Sequence, residues 1–304
     1  MISILIPTFN HSVVELVTNI HKQCIDCKIQ FEILIYDDCS TNQKIKKSNE
    51  ILTDLPMVSY KFLENNMGRS FVRNRLSEKA KYKWLLFMDA DVSPKSNLFI
   101  KKYIENIKIN SEVIYGGIEY DKKKPNNDTV LRWKYGKKRE SKSKIKRKKN
   151  CYLNLLTCNF LIKKNVMLDH PFNEKISKNS NEDSLFSYNL KYNNVKVKHI
   201  DNPVLHIVLD SAYKFLKKSL EYAESSLLFV ENELMDKDYM KITKFYYKIK
   251  RMKHVPLFSI FFLLLRPLVK RQFNSKNPSL LLFDLYRISF ICHKKNHQCL
   301  FSQL

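Results

Sequence analysis

Short apolar runs alternate with helical patterns over the first two thirds of the chain. Runs with the length of a strand lie at residues 2–6, 31–36, 58–62 and 84–88. The last of these, Trp-Leu-Leu-Phe-Met, has no polar interruption, which is typical of a strand buried on both faces of a mostly parallel sheet. Because helical spacing fills the segments between the runs, the pattern predicts β-α-β units and an α/β fold in which helices flank a central sheet.

Element boundaries and domains follow from the same pattern. Ser12 and Glu15 have the spacing of a capping box and predict the start of the first helix. A helix is expected after Ser96 and another after Asn181, and further strands are expected at residues 113–117, 157–162, 195–200 and 204–207. Helical patterns alone continue from Asp210, so we expect a catalytic-type α/β domain over 1–209 and a C-terminal helical region over 210–304.

Acidic residues follow two of the apolar runs directly. Asp37 and Asp38 come after the run at 31–36, and Asp89 and Asp91 come after the run at 84–88. Because the carboxyl ends of parallel strands meet at one edge of a sheet, we expect these acids to line a crevice together with the turn at 7–10. An Asp-x-Asp sequence there suits Mg²⁺ or Mn²⁺. The alternative is a polar turn after a core strand.

Two later positions have both a structural and a functional interpretation. Glu182 and Asp183 open a predicted helix, where acids ordinarily complement the helix dipole. The same location keeps a carboxylate ionised, as a general base requires. His206 lies among apolar residues, which by itself favours a histidine satisfied within the core.

The segment between the predicted strands at 113–117 and 157–162 is unusually basic. Two of the four glycines, Gly116 and Gly117, precede it and indicate close approach of the backbone to a ligand or to another strand. Residues 121–150 form a polar insert with few acids, which we expect to be a solvated loop. Its alternative role is a lid over the crevice or a site for an anionic acceptor.

Composition limits the classes of partner and compartment. The 304 residues carry 54 Lys+Arg against 30 Asp+Glu, a formal charge of +24, which attracts nucleotides, nucleic acid or anionic lipid alike. Seven scattered cysteines favour a reduced, cytoplasmic setting, and Cys24 and Cys27 form a lone C-x-x-C without a second pair. We expect the first apolar run to be a strand and not a signal peptide.

One C-terminal segment has a composition suited to a membrane surface. Residues 255–265 are very apolar but are interrupted by Pro256 and closed by Arg266 and Pro267, so the segment is shorter than the roughly 20 residues that span a bilayer. Basic residues on both sides favour peripheral attachment to the inner membrane face. The alternative is a core helix of a small bundle.

Five segments together match a known pattern. They are ISILIPTFN, FEILIYDDCS, NNMGRSFVRNRLSEKAKYKWLLFMDADV, YGGIEY and NEDSLFSYNL, spread over residues 1–207. In this order and at these separations, the chain resembles glycosyltransferase family 2, whose enzymes have the GT-A nucleotide-sugar fold. One departure is the stretch 179–181, Asn-Ser-Asn, where the family often has a glycine and an aromatic residue ahead of the Glu-Asp pair.

The resemblance implies roles for individual residues. It implies that the nucleotide is held by the turn after the first strand, by the second acid after the next strand, by a basic helix and by the first acid of Asp-x-Asp: Pro7, Thr8, Phe9, Asn10, Asp38, Arg69, Arg73 and Asp89. Asp91 and His206 would bind Mn²⁺ or Mg²⁺. Asp183 resembles the catalytic base, and Glu182 would support orientation of the acceptor.

The resemblance also implies an activity. It is that of an inverting, metal-dependent transferase that moves a sugar from a nucleoside diphosphate, with uridine favoured, to a glycan or lipid-linked acceptor in surface polysaccharide synthesis. Two alternatives are a sugar-phosphate nucleotidyltransferase, which would release pyrophosphate, and a non-catalytic nucleic-acid-binding protein. An acid-lined crevice disfavours the second, because it repels phosphate unless a cation is present.

Overall fold

The computed structural model describes residues 1–107, 110–176 and 181–301. The strands within these ranges are β1 Ile2–Thr8, β2 Phe31–Asp37, β3 Val58–Phe62, β4 Trp84–Met88, β5 Val92–Pro94, β6 Val113–Tyr115, β7 Ile118–Glu119, β8 Asn159–Lys163, β9 Val197–His199 and β10 Val204–His206. The α-helices are α1 Val14–Asp26, α2 Gln43–Glu50, α3 Arg69–Lys79, α4 Phe99–Ile107, α5 Val130–Tyr135, α6 Lys144–Lys148, α7 Lys164–Asp169, α8 Glu182–Tyr192, α9 Ala212–Glu231, α10 Lys241–Arg251, α11 Val255–Phe273 and α12 Leu280–Phe301.

A central sheet in the order β3-β2-β1-β4-β8-β6-β9 confirms the predicted α/β fold. Strands β1 to β4 are mutually parallel, β8 runs antiparallel to β4 and β6, and β9 is parallel to β6. Every residue of β2 and β4 is buried, as expected for strands covered on both faces. A smaller sheet in the order β5-β10-β7 follows the Asp-x-Asp segment.

Strand register places the acidic segments at one edge of the central sheet. Thr8 pairs with Asp37 in the parallel ladder of β1 and β2, and Leu5 pairs with Phe87 in the ladder of β1 and β4. The chain therefore leaves β1, β2 and β4 on the same side, as predicted. The acids that follow these strands share that edge.

The start of α1 differs from the sequence prediction. The helix begins at Val14, and its N-cap residue Val13 makes no side-chain cap bond, so the capping box proposed for Ser12 and Glu15 is wrong. The Val13 backbone N–H instead donates to Asn49 Oδ1 at 3.0 Å. A buried side chain from α2 thus satisfies a helix-end donor that local sequence does not.

Most charged side chains of the basic insert are exposed to solvent, as expected, but the expectation of a loop is wrong for this insert. It contains α5, a π-helical turn at Gly136–Glu140, and α6. Leu131 is fully buried in an apolar cluster with Phe215 and Phe283, which is why this polar-looking segment folds. Arg147 of α6 is also buried.

The described chain divides into two compact units. One is built from residues 1–121, 140–176 and 182–208, and the other from residues 122–139, 181 and 209–301. The second unit is helical, with α11 packed along α12 and apolar clusters that also involve α5, α9 and α10. The predicted boundary between 209 and 210 stays a prediction about domains.

Helix α11 is longer than its sequence suggested. Pro256 lies in its first turn and Pro267 lies inside it, so neither proline ends the apolar segment. Proline is favourable in a first turn, because the N–H it lacks would have no helical acceptor there. Across the residues that the structure describes, none of the helices combines the length and apolarity needed to cross a bilayer.

Candidate functional site

The turn after β1 exposes the ring of Phe9, while the preceding Thr8 is buried. Thr8 is buried and its hydroxyl donates to the His11 carbonyl at 2.9 Å. Asn10, at φ 51°, accepts the Thr41 N–H on its carboxamide oxygen at 2.9 Å, which ties this turn to the loop after β2.

Phe9 is 48% exposed. Pro7 belongs to β1, opposite Tyr36. The nucleotide contacts predicted for these four residues stay predictions, and Phe9 is the one that presents apolar surface.

Asp38 fixes the loop that leads into α3. Its two carboxylate oxygens accept the Met67 N–H at 2.6 Å and the Gly68 N–H at 2.8 Å. Gly68 has a φ of 90°, a conformation that glycine adopts without strain. Asp38 therefore positions the start of the arginine-bearing helix, and the base contact predicted for it stays a prediction.

Arg73 joins two carboxylates that are 93 residues apart in sequence. Its guanidinium, 1% exposed, donates to Asp89 Oδ1 at 2.8 Å and to Glu182 Oε1 at 3.1 Å, and lies over the Phe172 ring. Arg69 Nε lies 3.1 Å from the same Glu182 oxygen. Burial lowers the pKa of Arg73, but Asp89 and Glu182 outweigh it and raise that pKa above its ordinary value. The group is therefore a permanent cation between these acids.

Asp183 is the second residue of α8 and has a raised pKa. It is half-buried at the start of α8, and its Oδ1 accepts the Ser184 N–H at 2.9 Å. Burial, and then the neighbouring Glu182 charge, raise the pKa of Asp183 to about 6, while Arg69 and Arg73 oppose the rise. A carboxylate with a pKa near the working pH can both accept and release a proton.

Asp91 and His206 meet through the smaller sheet. His206 is paired with Val92 in the antiparallel ladder of β5 and β10, and its Nε2 lies 3.6 Å from Asp91 Oδ2. The His206 ring stacks on Tyr120, with centroids 5.3 Å apart. The Tyr120 hydroxyl in turn donates to Glu140. Pattern reasoning missed Tyr120 and Glu140, although Tyr120 closes the YGGIEY segment.

The donor set at Asp91 and His206 fits a divalent cation that keeps open positions. Among the described residues, no group of three or more His, Cys, Asp or Glu side chains could enclose a metal by itself. Mg²⁺ and Mn²⁺ commonly take one or two protein ligands and complete their shell with water and substrate phosphates. One carboxylate and one imidazole at 3.6 Å are compatible with that arrangement.

The two glycines before the insert approach protein, not an open cavity. A Cβ at Gly116 would clash with the Asn202 carbonyl, and one at Gly117, where φ is 107°, would clash with the Arg147 guanidinium. Arg147 donates to the carbonyls of Gly116 at 3.0 Å and Ile200 at 2.6 Å. Close approach of the backbone is thus found at both glycines: Gly116 is approached by Asn202 and by Asn159 of β8, and Gly117 by the basic insert.

The C-x-x-C pair and the stretch before the Glu-Asp pair were two further features of the sequence. The thiols of Cys24 and Cys27 are free, and burial raises the pKa of Cys24 to about 12, which keeps it protonated and a poor metal ligand. Asn181, in the stretch that departs from the family pattern, has a φ of 51°, which asparagine tolerates. The preceding Asn179 and Ser180 lie outside the described residues.

Comparisons of sequence match part of the chain to one family of transferases. A family model described as glycosyl transferase family 2 matches residues 3–170, more than half of the chain. The poly(ribitol-phosphate) beta-N-acetylglucosaminyltransferase TarS of Staphylococcus aureus strain Mu50 / ATCC 700699 is 30% identical over 91 residues, which are 29% of this chain. The chain matches only 16% of the length of TarS, from this strain and from strain MW2.

Comparisons of structure extend over nearly the whole chain. S. aureus TarS 1–349 in complex with UDP-GlcNAc has a TM-score of 0.52 at 18% identity and covers 98% of this chain and 91% of its own. The mannosyltransferase PcManGT from Pyrobaculum calidifontis, in complex with GDP-Man and Mn²⁺, has a TM-score of 0.55 at 11% identity. The match covers 97% of this chain and 86% of PcManGT. At these identities the likeness shows the GT-A fold.

Proposed function

Because the chain belongs to glycosyl transferase family 2, we propose that it transfers a sugar from a nucleoside diphosphate to an acceptor hydroxyl. The observation that carries this proposal is the Asp89–Arg73–Glu182 network, which connects the acid-tipped edge of the sheet to Asp183. A nucleotide-binding crevice and a proton acceptor are the two parts that such a transfer requires. The residues that we propose for these two parts belong to the same compact unit.

The donor would lie along the carboxyl edge of β1, β2 and β4. Phe9 offers an exposed ring for a base, and Asp89 is partly exposed where a ribose hydroxyl could donate to it. A uridine diphosphate sugar is our preferred donor, supported by the complex of TarS 1–349 with UDP-GlcNAc and by the assignments of Thr8, Phe9 and Asp38. The complex of PcManGT with GDP-Man makes guanosine the alternative to test.

Asp91 and His206 would hold Mn²⁺ or Mg²⁺ beside the donor. The bound cation supplies neutralisation of the charge that builds on a departing diphosphate. The protein's own contribution is the orientation of the two ligands. Asp91 lies in the segment that follows β4, and the stack on Tyr120 holds His206. PcManGT, solved in complex with Mn²⁺, supports this choice of ion.

Asp183 would act as the base in a single displacement with inversion. The acceptor oxygen forms a bond to the anomeric carbon while its proton passes to Asp183, and the anomeric C–O bond breaks with its electron pair leaving on the nucleoside diphosphate. The raised pKa of Asp183 suits this role at neutral pH. Glu182, whose carboxylate pairs with Arg69 and Arg73, would orient the acceptor indirectly by fixing the start of α8.

The acceptor would be a glycan or a lipid-linked glycan, and the process surface polysaccharide synthesis. TarS is described as a poly(ribitol-phosphate) beta-N-acetylglucosaminyltransferase, which supports a polymer acceptor. The surplus of basic residues also suits an acceptor with negative charge. Attachment to an anionic membrane surface would place the chain beside such acceptors.

Substitution of Asp183 by Asn tests the proposed function. We expect transfer to fall by about 10²-fold to 10⁴-fold, because an amide cannot take the proton. Donor binding should persist, measured as a thermal shift with UDP- and GDP-sugars in the presence of Mn²⁺. The exposed Asp169→Asn at the end of α7 is the matched control and should transfer normally.

The product and the negative outcomes complete this test. NMR of the product should show an anomeric configuration opposite to that of the donor. Retention of configuration, or full transfer by Asp183→Asn, would overturn the assigned base. Absence of any thermal shift across the donor panel for the wild-type chain would overturn the transferase proposal itself.

A further inference from the structure

Helix α11 presents a continuous apolar face to solvent. One side of the helix is buried against the second unit through Ser259, Val269 and Phe273. The opposite side carries six large apolar residues that are each 40% to 62% exposed: Leu257, Ile260, Phe261, Leu263, Leu264 and Leu268. Contiguous exposed apolar surface of this kind marks an interaction site more often than scattered single residues do.

The chain segment that contains this face carries charge of one sign. Residues 239–283 contain ten Lys and Arg and no Asp or Glu. Lys253 lies two residues before α11, and Arg266, Lys270 and Arg271 lie in its second half, all of them exposed. A partner for this face must therefore offer negative charge at its rim and an apolar region at its centre.

The interfacial region of an anionic bilayer meets both requirements. We infer that the exposed face of α11, with its basic flanks, is a docking surface for an anionic membrane. Its apolar side chains would enter the boundary between headgroups and acyl chains, while the lysines and arginines meet lipid phosphates.

Two other occupants match less well. A two-fold interface between copies of this chain would bring two acid-free basic segments together, which costs energy through like-charge repulsion. A nucleic acid would satisfy the charge but would leave residues such as Leu264 and Leu268 in water. The docking surface belongs to the helical unit and would bind lipid whether or not the chain transfers sugar, so its failure and that of the transferase proposal are distinguishable.

Co-sedimentation of the full chain with vesicles tests the docking surface. We expect binding to vesicles of phosphatidylcholine mixed with phosphatidylglycerol, weakening as salt rises, and much weaker binding to phosphatidylcholine alone. Leu264→Gln combined with Leu268→Gln should reduce partitioning at least about tenfold. Lys270→Gln combined with Arg271→Gln should reduce it about 25-fold, since each basic residue near an anionic surface contributes a factor of about five.

Matched controls separate the face from general hydrophobicity and charge. Ile51 is 66% exposed in the other unit, and Ile51→Gln should leave partitioning unchanged. Lys44→Gln combined with Lys47→Gln, at two exposed residues of α2, makes the same change of charge as Lys270→Gln combined with Arg271→Gln. Unchanged partitioning of Leu264→Gln/Leu268→Gln would overturn the inference. So would a lipid-free wild-type oligomer that this variant converts to a monomer, because the face would then be a protein interface.

Discussion

At the scale of single residues, Arg73 determines how the site is charged. A guanidinium that is 1% exposed is costly to bury unless carboxylates pair with it, and Asp89 and Glu182 both do. The pairing holds the strand end after β4 and the first turn of α8 at fixed positions. It also places one anion, Glu182, directly beside Asp183.

The titration of Asp183 predicts the acidic limit of activity. Because its pKa is raised from 3.8 to about 6, the folded protein takes up a proton there as pH falls through 6. A protonated carboxyl cannot accept the acceptor's proton, so kcat/KM should fall about tenfold per pH unit below that point and level off above it. Glu182→Gln should move this limit to lower pH, since one cause of the raised pKa is removed. A wild-type limit near pH 4 would contradict the assignment.

Tyr120 is a positioning residue for the proposed cation site. Its ring stacks on His206 and its hydroxyl donates to Glu140, so Tyr120→Leu should free the imidazole to rotate. We expect the Kd for Mn²⁺, measured by EPR of the free ion in the presence of UDP, to rise about tenfold or more.

Two further variants calibrate this measurement. Tyr120→Phe keeps the stack and should have a smaller effect on the Kd, while Asp91→Ala should abolish detectable Mn²⁺ binding. Wild-type Mn²⁺ affinity in Tyr120→Leu would remove the positioning role. Because the readout is binding of the ion, a structural defect that lowers only turnover would not imitate it.

At the scale of elements, α6 is held by one buried arginine. Arg147 donates to the backbone carbonyls of Lys142, Gly116 and Ile200, and its Nε donates to His199 Nδ1. Because Nδ1 accepts this bond, His199 Nε2 carries the proton and donates to the Cys151 carbonyl at 2.9 Å. Burial lowers the pKa of His199 to about 4, which keeps the ring neutral beside the cation.

Gly117 tests this anchor. Gly117→Ala should lower the free energy of unfolding by about 1–3 kcal/mol, because φ is 107° and a Cβ would clash with the Arg147 guanidinium. Gly136→Ala is the matched control, since Gly136 has a helical φ of −56°, where alanine is favoured over glycine. Urea unfolding measures both. Equal stability of Gly117→Ala and the wild-type chain would contradict the proposed packing.

At the scale of the whole molecule, acidic and basic residues are concentrated in different parts of the chain. The charge of +24 arises from a surplus of Lys and Arg, yet the candidate site collects carboxylates at one sheet edge. Within the helical unit, the longest acid-free stretch coincides with the exposed apolar face of α11. A cation bound at Asp91 and His206 would let the site accept a diphosphate despite its own acids.

Sequence by itself determined the α/β class, the order of the strands along the chain and the edge at which the acids gather. These depend on local apolar periodicity, which can be read from short segments, and on the general rule that parallel crossovers are right-handed. The resemblance to glycosyltransferase family 2 rested on the same strand ends. The bounds of β3 and β4 agree with the apolar runs at 58–62 and 84–88.

Only the tertiary structure decided which partners those residues have. Three sets of contacts join residues that are 16 to 109 positions apart in sequence. They are the pairing of Arg73 with Asp89 and Glu182, the stack of Tyr120 on His206, and the hydrogen bond from the Val13 N–H to Asn49. The folding of the insert depends on the burial of Leu131 and Arg147, which its polar composition conceals. Contacts between distant segments arise from packing of the whole chain, and a local pattern contains no information about them.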